Sequence, residues 1–504
     1  MATPKVDYSV YLVTDSTPAI LGDADLASVV EQSLQGGVTI VQYRDKHSPR
    51  DHVVATARKL HQMTQKYNVP FLINDYVDVA AEIGCEGVHI GQDDMAFEEA
   101  KRLLGEGKII GVTASSKGEA LKAASQGATY LGIGTVYATS TKKDTKSIIG
   151  PVGVSSILAA LEAEGHGALP TVCIGGVNAS NARDVMRQSV SPRKTLDGVA
   201  VVSAIVAARD PAAAAREIQG AVVGAKIPEA ILSIARQGPL SHNMTNLVVQ
   251  NFAANVALAI GASPIMANYA EEAADLAKLG GALVINMGTV TPDGLKNYVQ
   301  ALQAYNAAKR PVVFDPVGAG ATAVRRSAVK TLLASGQFAL IKGNEGELQT
   351  LHGVSVTQHG VDSTSTLSLA QKARLARDLA RTHAAVVLLT GKTDIVSDGT
   401  RTIRVDNGHE LLGMITGTGC TLGTAVSAAL AAYGHVDPLV AAVAGTAVFG
   451  VAAEMAAARS EVRGPGTFVP AFLDELYLIR KASADGDMRW LTMVKVQAVE
   501  VPEE

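Results

Sequence analysis

Strand-like runs that alternate with helical stretches constrain the fold of the first half of the chain most strongly. Eight such runs occur in roughly the first 210 residues, at 8–13, 38–43, 70–74, 87–90, 109–112, 130–133, 171–174 and 198–202. Stretches with helical spacing, such as 51–66 and 97–104, separate most of them. Repeated strand–helix units predict a parallel sheet, and eight of them predict a (β/α)8 TIM barrel.

Polar residues follow almost every predicted strand of this barrel. They are Gln42, Arg44, Lys46, Asn74, Asp75, Gln92, Asp93, Asp94, Thr113, Ser115, Thr139, Ser140, Thr141, Lys142, Gly175, Gly176 and Ser203. TIM barrels carry their active sites at the carboxyl ends of the strands. The pattern therefore predicts an active site at that end.

The run 41–46 combines an amide and two cations on one strand face. Side chains alternate along a strand, so Gln42, Arg44 and Lys46 project the same way. Two neighbouring cations repel each other unless an anion lies among them, and Arg and Lys both bind phosphate. We expect a phosphate or diphosphate here. The alternative is an edge strand that carries solvated charges.

Two further features point to anionic ligands and a metal ion. Asp75 and Asp94 end adjacent strands and could share Mg2+, with Asp93 as the competing ligand and helix N-caps as the alternative role. Gly175 and Gly176 would let backbone N–H groups approach a phosphate, together with Val202 and Ser203 after strand eight.

These motifs resemble thiamine phosphate synthase over about residues 8–205. That family joins hydroxymethylpyrimidine diphosphate to a thiazole phosphate and releases diphosphate. The resemblance implies that residues 42–46, including Tyr43 and Asp45, hold the pyrimidine diphosphate with Asn74 and Thr113. It implies Mg2+ on Asp75 and Asp94. The thiazole phosphate would contact Thr139, Ser140, Thr141, Lys142, Gly175, Gly176, Val202 and Ser203. Arg44, Lys46 and Lys142 would stabilise the leaving group.

A second set of motifs begins at residue 238, so we expect domains at 1–228 and 229–504. Residues 208–228 would finish the last barrel helix. Strand-like runs at 282–286, 311–314, 338–341 and 385–390 predict an open, mostly parallel α/β sheet with helices on both faces.

The glycine-rich segment 416–420 precedes a helical run at 421–433 and predicts an anion site at a helix start. Asp315 follows one strand, and Lys342 begins a segment that contains Asn344 and Glu347, an array suited to Mg2+. A Walker A loop is absent, since Gly391-Lys392-Thr393 lacks the required earlier glycine.

These features resemble hydroxyethylthiazole kinase, a ribokinase-like α/β family, over about residues 230–480. The resemblance implies that Met266 and Gly417 contact the thiazole. It implies that ATP contacts Lys342, Thr390, Thr418 and Gly419, and that Asp315 and Glu347 organise Mg2+. Cys420 occupies the place of the usual catalytic Asp. We expect the helix N-terminus to lower the pKa of its thiol, bound ATP to oppose this, and the thiol mainly to position the alcohol. The alternative is a buried structural thiol.

The two halves together resemble a fungal-type bifunctional enzyme of thiamine biosynthesis, in which the kinase product is the second substrate of the synthase. Two alternatives remain at this point: a kinase of another small alcohol, and a non-catalytic sensor of thiamine phosphate. The resemblance also implies a homo-oligomer built on kinase-domain trimers.

Composition excludes some other classes of function. A net charge of −4 gives no electrostatic case for binding nucleic acid. Three cysteines without metal-ligand spacing predict a reducing, cytoplasmic location. The start of the chain enters the first strand too early for a signal peptide. The apolar run 441–458 contains Glu454 and predicts a buried helix, so we expect no membrane association.

Overall fold

The structure is a computed structural model that describes residues 6–139, 147–353 and 366–502. Its internal contacts divide the chain into two compact units, Met1–Ala225 and Lys226–Glu504.

The first unit is a closed barrel of eight parallel strands, as the sequence predicts. Each strand pairs with its neighbours in chain order, and β8 closes the barrel on β1. The strands are β1 Val10–Val13, β2 Ile40–Tyr43, β3 Phe71–Asn74, β4 Gly87–Ile90, β5 Ile109–Ala114, β6 Tyr130–Ile133, β7 Thr171–Ile174 and β8 Gly198–Val201. The helices are α1 Pro18–Leu21, α2 Leu26–Gln35, α3 Arg50–Lys66, α4 Val77–Ile83, α5 Phe97–Leu104, α6 Lys117–Gln126, α7 Gly150–Ala163, α8 Ala182–Gln188 and α9 Ser203–Val206.

The two faces of the barrel strands form separate hydrophobic clusters. Residues such as Val10, Leu12 and Val41 pack outward against the helices. Alternate residues, including Tyr11, Leu72 and Tyr130, form a second cluster inside the barrel. The strands are therefore buried on both faces, which explains why their sequences read as continuous apolar runs.

One long helix, α10 Pro211–Gln237, follows the barrel. The sequence suggested that the last barrel helix ends near residue 228, where a proline stands. That expectation is wrong, because Pro228 lies inside the helix.

The second unit contains a nine-stranded sheet in the order β10-β9-β11-β12-β13-β14-β15-β16-β17. The first six strands are parallel, and the last three are antiparallel additions that the sequence analysis did not identify. The strands are β9 Leu240–Met244, β10 Ser263–Ile265, β11 Ala282–Asn286, β12 Val312–Asp315, β13 Leu340–Asn344, β14 Val386–Thr390, β15 Asp394–Ser397, β16 Thr402–Val405 and β17 Val496–Ala498.

Helices pack against this sheet, and two of them, α17 and α18, are almost entirely buried. The α-helices are α11 Gln250–Ile260, α12 Ala273–Leu279, α13 Pro292–Ala307, α14 Ala323–Ser335, α15 Glu345–Leu351, α16 Leu369–His383, α17 Thr418–Tyr433, α18 Pro438–Ala457 and α19 Pro465–Ala484. Short 3-10 helices occupy Ala270–Glu272, Glu410–Met414 and Arg489–Met493.

Two helices, α10 and α18, are long and apolar enough to span a membrane by length and composition alone. The most apolar window of α18 is 89% buried within the protein, and that of α10 is 67% buried. A core helix needs such composition, so these helices are weak evidence for a membrane span.

Candidate active sites

A cavity of about 710 Å3 opens at the carboxyl ends of the barrel strands. It is lined by most of the residues that the sequence singled out in this half: Gln42, Arg44, Lys46, Asn74, Asp94, Thr113, Thr139, Gly175, Gly176, Val202 and Ser203. Asp93, the competing ligand, lines it as well as Asp94. Ser140, Thr141 and Lys142 lie outside the described residues.

Tyr43 and Asp45 do not line this cavity, so the expectation that all of residues 42–46 contact substrate needs correction. Tyr43 packs in the outer core, and its hydroxyl donates to Asp45 Oδ2 at 3.2 Å. Asp45 Oδ1 accepts from the backbone of His47 and Ser48. Strand alternation turns both side chains away from the barrel mouth, where they order the loop after β2.

The two cations of this strand each have a carboxylate partner. Arg44 Nη1 lies 3.0 Å from Asp15 Oδ2, and Lys46 Nζ lies 2.8 Å from Asp75 Oδ2. The repulsion argument required an anion among these cations, and the protein itself supplies two. The cationic run alone is therefore weaker evidence for a bound phosphate than the sequence indicated. The stronger evidence for a bound phosphate is that the run lines the cavity.

Asp75 and Asp94 lie side by side at the ends of β3 and β4. Burial and the neighbouring Asp94 raise the pKa of Asp75, although Lys46 opposes the shift. Burial also works against ionisation of Asp94, but hydrogen bonds from Asp75 and from the Gly91 amide outweigh it and lower its pKa. Two adjacent carboxyl groups whose pKa values are pushed apart in this way form a suitable site for a divalent cation.

Neither aspartate caps a helix, which removes the alternative role. The N-caps of α4 and α5 are Tyr76 and Ala96. The part of the chain that the structure describes contains no group of three or more His, Cys, Asp or Glu residues that could hold a metal. Two carboxylates still suit Mg2+, because this ion usually keeps waters and substrate phosphate oxygens in its shell.

The glycine pair after β7 adopts a conformation that other residues rarely reach. Gly175 and Gly176 have φ values of +102° and +67°. A Cβ atom on Gly175 would lie 2.3 Å from Thr135 Cγ2, and one on Gly176 would lie 2.7 Å from Tyr137 Cβ. Glycine is thus required both by the backbone and by the close approach of the loop after β6.

Three residues of the cavity floor were missed or undervalued in the sequence: Tyr11, His89 and Tyr130. Tyr11 and Tyr130 are almost completely buried and their hydroxyl groups are hydrogen-bonded to each other. His89 contacts Tyr130 and Thr113 through its two ring nitrogens at 2.7 and 2.8 Å. They lie within apolar strands, where nothing local marks them as polar site residues.

In the second unit, a chain of buried polar groups crosses the carboxyl ends of β9, β11, β12 and β13. Asn246 Nδ2 donates to Asn286 Oδ1 at 2.9 Å, and Asn286 Nδ2 donates to Asp315 Oδ2 at 2.7 Å. Lys342 Nζ lies 3.1 Å from Asp315 Oδ1. The sheet order turns around at β9 and β11, and ligands of open α/β sheets bind at such a switch point.

Lys342 was expected to contact ATP, but its ammonium group is paired with Asp315. Both side chains are almost completely buried, at 4% and 1% exposure. Burial raises the pKa of Asp315 against the effect of Lys342. Burial lowers the pKa of Lys342, but Asp315 outweighs this and raises it, so Lys342 stays an ammonium group.

Glu347 joins two of the predicted motifs. Its Oε1 accepts from the Gly318 amide and its Oε2 from the Asn344 amide, each at 2.8 Å. The second bond belongs to a capping box with Asn344 at the start of α15, so this pair has a structural role besides any role in holding metal. Burial and Asp315 raise the pKa of Glu347 to about 7.

Cys420 lies in the first turn of α17, next to this polar chain. Asn246 Nδ2 is 3.4 Å from its sulfur. Burial and Asp315 raise the pKa of the thiol to about 11. The sequence indicated that the helix N-terminus would lower this pKa, whereas burial and a nearby carboxylate raise it.

The other predicted residues of this unit differ in what they can contact. Gly417 has a φ of +93°, and a Cβ atom there would lie 2.2 Å from Val249 Cγ1. Gly419 is exposed at the start of α17 and so is open to a ligand. Thr418 is buried, and its hydroxyl donates to Leu412 O at 2.6 Å, so it orders the preceding loop rather than presenting its hydroxyl to ATP.

Two predicted residues lie at strand ends further along the sheet. Thr390 ends β14 and pairs in register with Asn344 on β13. Met266 directly follows β10. The sequence also gave no sign of Arg325, whose guanidinium donates to Met287 O, Gly288 O and Val317 O and so joins the loops after β11 and β12. Such contacts with carbonyl groups leave no pattern in a sequence.

Comparison with known proteins assigns both units to families. A family model described as "Thiamine monophosphate synthase" matches residues 10–205, and one described as "Hydroxyethylthiazole kinase family" matches residues 231–482. The chain is also 44% identical to a "Hydroxyethylthiazole kinase" of Chloroflexus aggregans, over 48% of this chain and 86% of that protein.

Two fungal proteins match almost the whole chain. The "Probable thiamine biosynthetic bifunctional enzyme" of Schizosaccharomyces pombe is 39% identical, over 98% of this chain and 99% of that protein. The "Thiamine biosynthetic bifunctional enzyme" of Saccharomyces cerevisiae is 36% identical, over 94% and 95%. The chain therefore belongs to the family of bifunctional thiamine biosynthetic enzymes, with a thiamine phosphate synthase domain followed by a hydroxyethylthiazole kinase domain.

Proposed function

We propose that the mouth of the barrel binds the pyrimidine diphosphate through Gln42, Arg44, Lys46 and Asn74. The observation that carries this proposal is that these four side chains line a single cavity together with Asp94. Arg44 and Lys46 are 23% and 44% exposed, so each can turn toward a ligand without being pulled out of the core.

The same cavity has room for the second substrate on its opposite wall. Gly175, Gly176, Val202 and Ser203 end β7 and β8, where TIM barrels customarily bind phosphate. We assign the thiazole phosphate to this wall, with Thr139 beside it and with Ser140, Thr141 and Lys142 from the neighbouring segment.

The reaction needs stabilisation of a leaving group rather than a base. When diphosphate departs from the pyrimidine methylene, negative charge grows on its oxygens, and Arg44 and Lys46 are the Arg and Lys residues among the described lining of the cavity. The thiazole nitrogen that attacks carries no proton. The protein's contribution is therefore to hold the two substrates in line and to stabilise the departing charge.

Mg2+ fits both domains. In the barrel Asp75 and Asp94 would hold it, because a divalent cation between two adjacent carboxyl groups would offset their repulsion. In the kinase domain Asp315 and Glu347 are buried carboxyl groups with raised pKa values, which also favours a cation nearby. Bound Mg2+ would neutralise phosphate charge in each reaction.

We further propose that the kinase domain binds the thiazole alcohol beside Cys420, with Met266 and Gly417, and that ATP binds near Gly419 and Thr390. A thiol with a pKa of about 11 is protonated at neutral pH, so Cys420 is suited to orient the alcohol. Phosphoryl transfer through a loose transition state needs little help from a base. Asp315 is the other group near Cys420 that could accept the proton.

Three broader features remain proposals. We place the domain boundary at residues 228–229, within α10. We also place the protein in the cytoplasm, where three free cysteines would stay reduced.

We propose kinase-domain trimers because Leu247 and Val248, next to Asn246, are 71% and 68% exposed. A neighbouring subunit would cover them. Light scattering on the full chain tests the trimer.

One assay tests the whole assignment. The full chain is incubated with thiazole alcohol, ATP, pyrimidine diphosphate and Mg2+, and thiamine phosphate is followed by chromatography. Omission of ATP should abolish the product unless thiazole phosphate is supplied. Lys46→Met should slow product formation from either thiazole substrate, whereas Cys420→Ala should slow it only from the alcohol. The assignment fails if both variants slow product formation to the same extent from the alcohol and from thiazole phosphate.

A further inference from the structure

Six side chains on the floor of the barrel cavity form one continuous chain of hydrogen bonds. It runs from β3 through β2, β1, β6 and β4 to β5 and consists of Asn74, Gln42, Tyr11, Tyr130, His89 and Thr113. Gln42 Nε2 donates to Asn74 Oδ1 at 2.6 Å, and Tyr11 Oη donates to Gln42 Oε1 at 2.8 Å. The two tyrosine hydroxyls contact each other, and His89 bridges Tyr130 and Thr113.

The direction of every bond in this chain follows from counting protons. The hydroxyl of Tyr11 has one proton, and Gln42 Oε1 can only accept, so that proton points to Gln42. The proton between the tyrosines must then come from Tyr130. Tyr130 has no second proton, so His89 Nδ1–H must donate to it. A neutral His89 then has an unprotonated Nε2, which accepts from the Thr113 hydroxyl.

We propose that Tyr11 and Tyr130 are positioning residues that set the hydrogen-bonding polarity of the pyrimidine site. At one end of the chain Asn74 presents its amide nitrogen, a donor, because its oxygen is turned toward Gln42. At the other end the Thr113 hydroxyl donates its proton to His89 Nε2, so it presents only lone pairs to a ligand. The site therefore selects a heteroaromatic ring that carries an acceptor on the Asn74 side and an amino donor on the Thr113 side.

The residues on the floor of the barrel cavity favour a bound aromatic ring there rather than a free anion. Tyr11 and Tyr130 are 1% and 0% exposed, so they cannot follow a ligand that moves. Val172 and Ile174 line the same cavity and supply apolar contact. An aminopyrimidine has both a ring-nitrogen acceptor and an exocyclic amino donor. This inference rests on the proposed site for the pyrimidine diphosphate.

The tautomer of His89 gives a test that needs no substrate. The full chain is labelled with 15N-histidine, and the His89 signals are identified by their loss in His89→Asn. Long-range 1H–15N correlation distinguishes the three protonation states of an imidazole. A proton on Nδ1 alone supports the proposal. A proton on Nε2 alone would mean that the chain runs in the other direction, and protons on both nitrogens would mean that His89 donates to Thr113. In either case the Thr113 hydroxyl would keep its proton for a ligand, which overturns the proposal.

A second test measures selectivity between two substrates. The probes are the aminopyrimidine diphosphate and an analogue in which hydrogen replaces the amino group, each used with thiazole phosphate. Tyr130→Phe and Tyr11→Phe should each reduce the preference for the amino compound by about 5- to 10-fold, the loss expected for one misdirected hydrogen bond. The effect should fall on KM of the pyrimidine, with KM of the thiazole phosphate unchanged.

Tyr8→Phe is the matched control. Tyr8 is buried and its ring lies 4.8 Å from that of Tyr130, but among the described residues its hydroxyl does not join the chain. It should keep the wild-type selectivity. Equal loss in Tyr8→Phe, or wild-type selectivity in both other variants, would overturn the proposal. The synthase rate of each variant at saturating amino compound shows whether the barrel is intact, and the kinase activity of the same molecules reports only on the second unit.

The two levels of inference fail in different ways. If Lys46→Met and Gln42→Ala leave synthase kinetics unchanged, the barrel mouth is not the pyrimidine diphosphate site. If those variants lose activity but the tyrosine variants keep their selectivity, only the polarity argument fails.

Discussion

The alkylation rate of Cys420 gives a direct measure of whether this thiol can act as a base. Burial and Asp315 raise its pKa from 9.0 to about 11. At pH 8, about one molecule in 1,000 then carries the thiolate, compared with about one in ten for a thiol of ordinary pKa. The more basic thiolate is intrinsically about tenfold more nucleophilic, which offsets part of this difference. Alkylation should therefore be about tenfold slower than for an ordinary thiol.

The assay treats the full chain with iodoacetamide at a series of pH values and quantifies the Cys420 peptide by mass spectrometry. The rate should rise about tenfold per pH unit from about pH 7 to pH 9.5, without a plateau, because the thiol does not titrate in that range. Partial burial lowers all rates but leaves this slope unchanged.

Asp315→Asn is the informative variant, since it removes the second of the two causes of the raised pKa. Labelling of Cys420 should become faster in it. A plateau below about pH 8 in the unmodified protein would show that the thiolate predominates near neutral pH, and the conclusion that Cys420 mainly orients the alcohol would then be wrong.

Three further predictions concern the charged groups of the two sites. Asp75→Asn should raise the Mg2+ concentration needed for thiamine phosphate synthesis and leave the kinase unaffected; Asn tolerates the φ of +63° at this position, so the backbone is not disturbed. Lys342→Met should destabilise the second unit by about 3–5 kcal/mol, because it leaves Asp315 buried and unpaired. Fluorescence of Trp490, the single tryptophan of the chain, reports unfolding of that unit, and adding Asp315→Asn should recover part of the loss. Glu347, with its pKa raised to about 7, holds a proton below that pH that Mg2+ must displace, so the Mg2+ requirement of the kinase should fall as pH rises through 7. A requirement independent of pH would contradict this.

Most of the barrel could be predicted because its sequence signals are local. Each strand is an apolar run buried on both faces, and each is followed by polar residues. The strands predicted at 87–90, 130–133 and 171–174 have the observed bounds. Among the antiparallel strands that were missed, β17 comes from residues about 90 positions after its partner β16, so no local pattern marks the pair.

The charged residues of the site could be predicted from the sequence, but its buried uncharged residues could not. Arg44, Lys46, Asp75 and Asp94 stand out at strand ends. Tyr11 and Tyr130 lie within apolar strands, and only the closure of the barrel brings their hydroxyls together.

Two of the expectations that the structure corrects at these sites have related physical causes. The sequence indicated that Arg44 and Lys46 needed an external anion, because the partner carboxylates Asp15 and Asp75 lie in loops that follow other strands. It also indicated a lowered pKa for Cys420, because the helix dipole is visible in a sequence whereas desolvation and the position of Asp315 are not. Tertiary neighbours decided both cases.

The most direct test of the account is a crystal structure of the full chain with Mg2+ and diphosphate. We predict that the diphosphate binds in the barrel mouth with its oxygens in hydrogen-bonding contact with Arg44 and Lys46, and that Mg2+ is held by Asp75 and Asp94. Diphosphate bound elsewhere, with Arg44 still on Asp15 and Lys46 still on Asp75, would contradict the account.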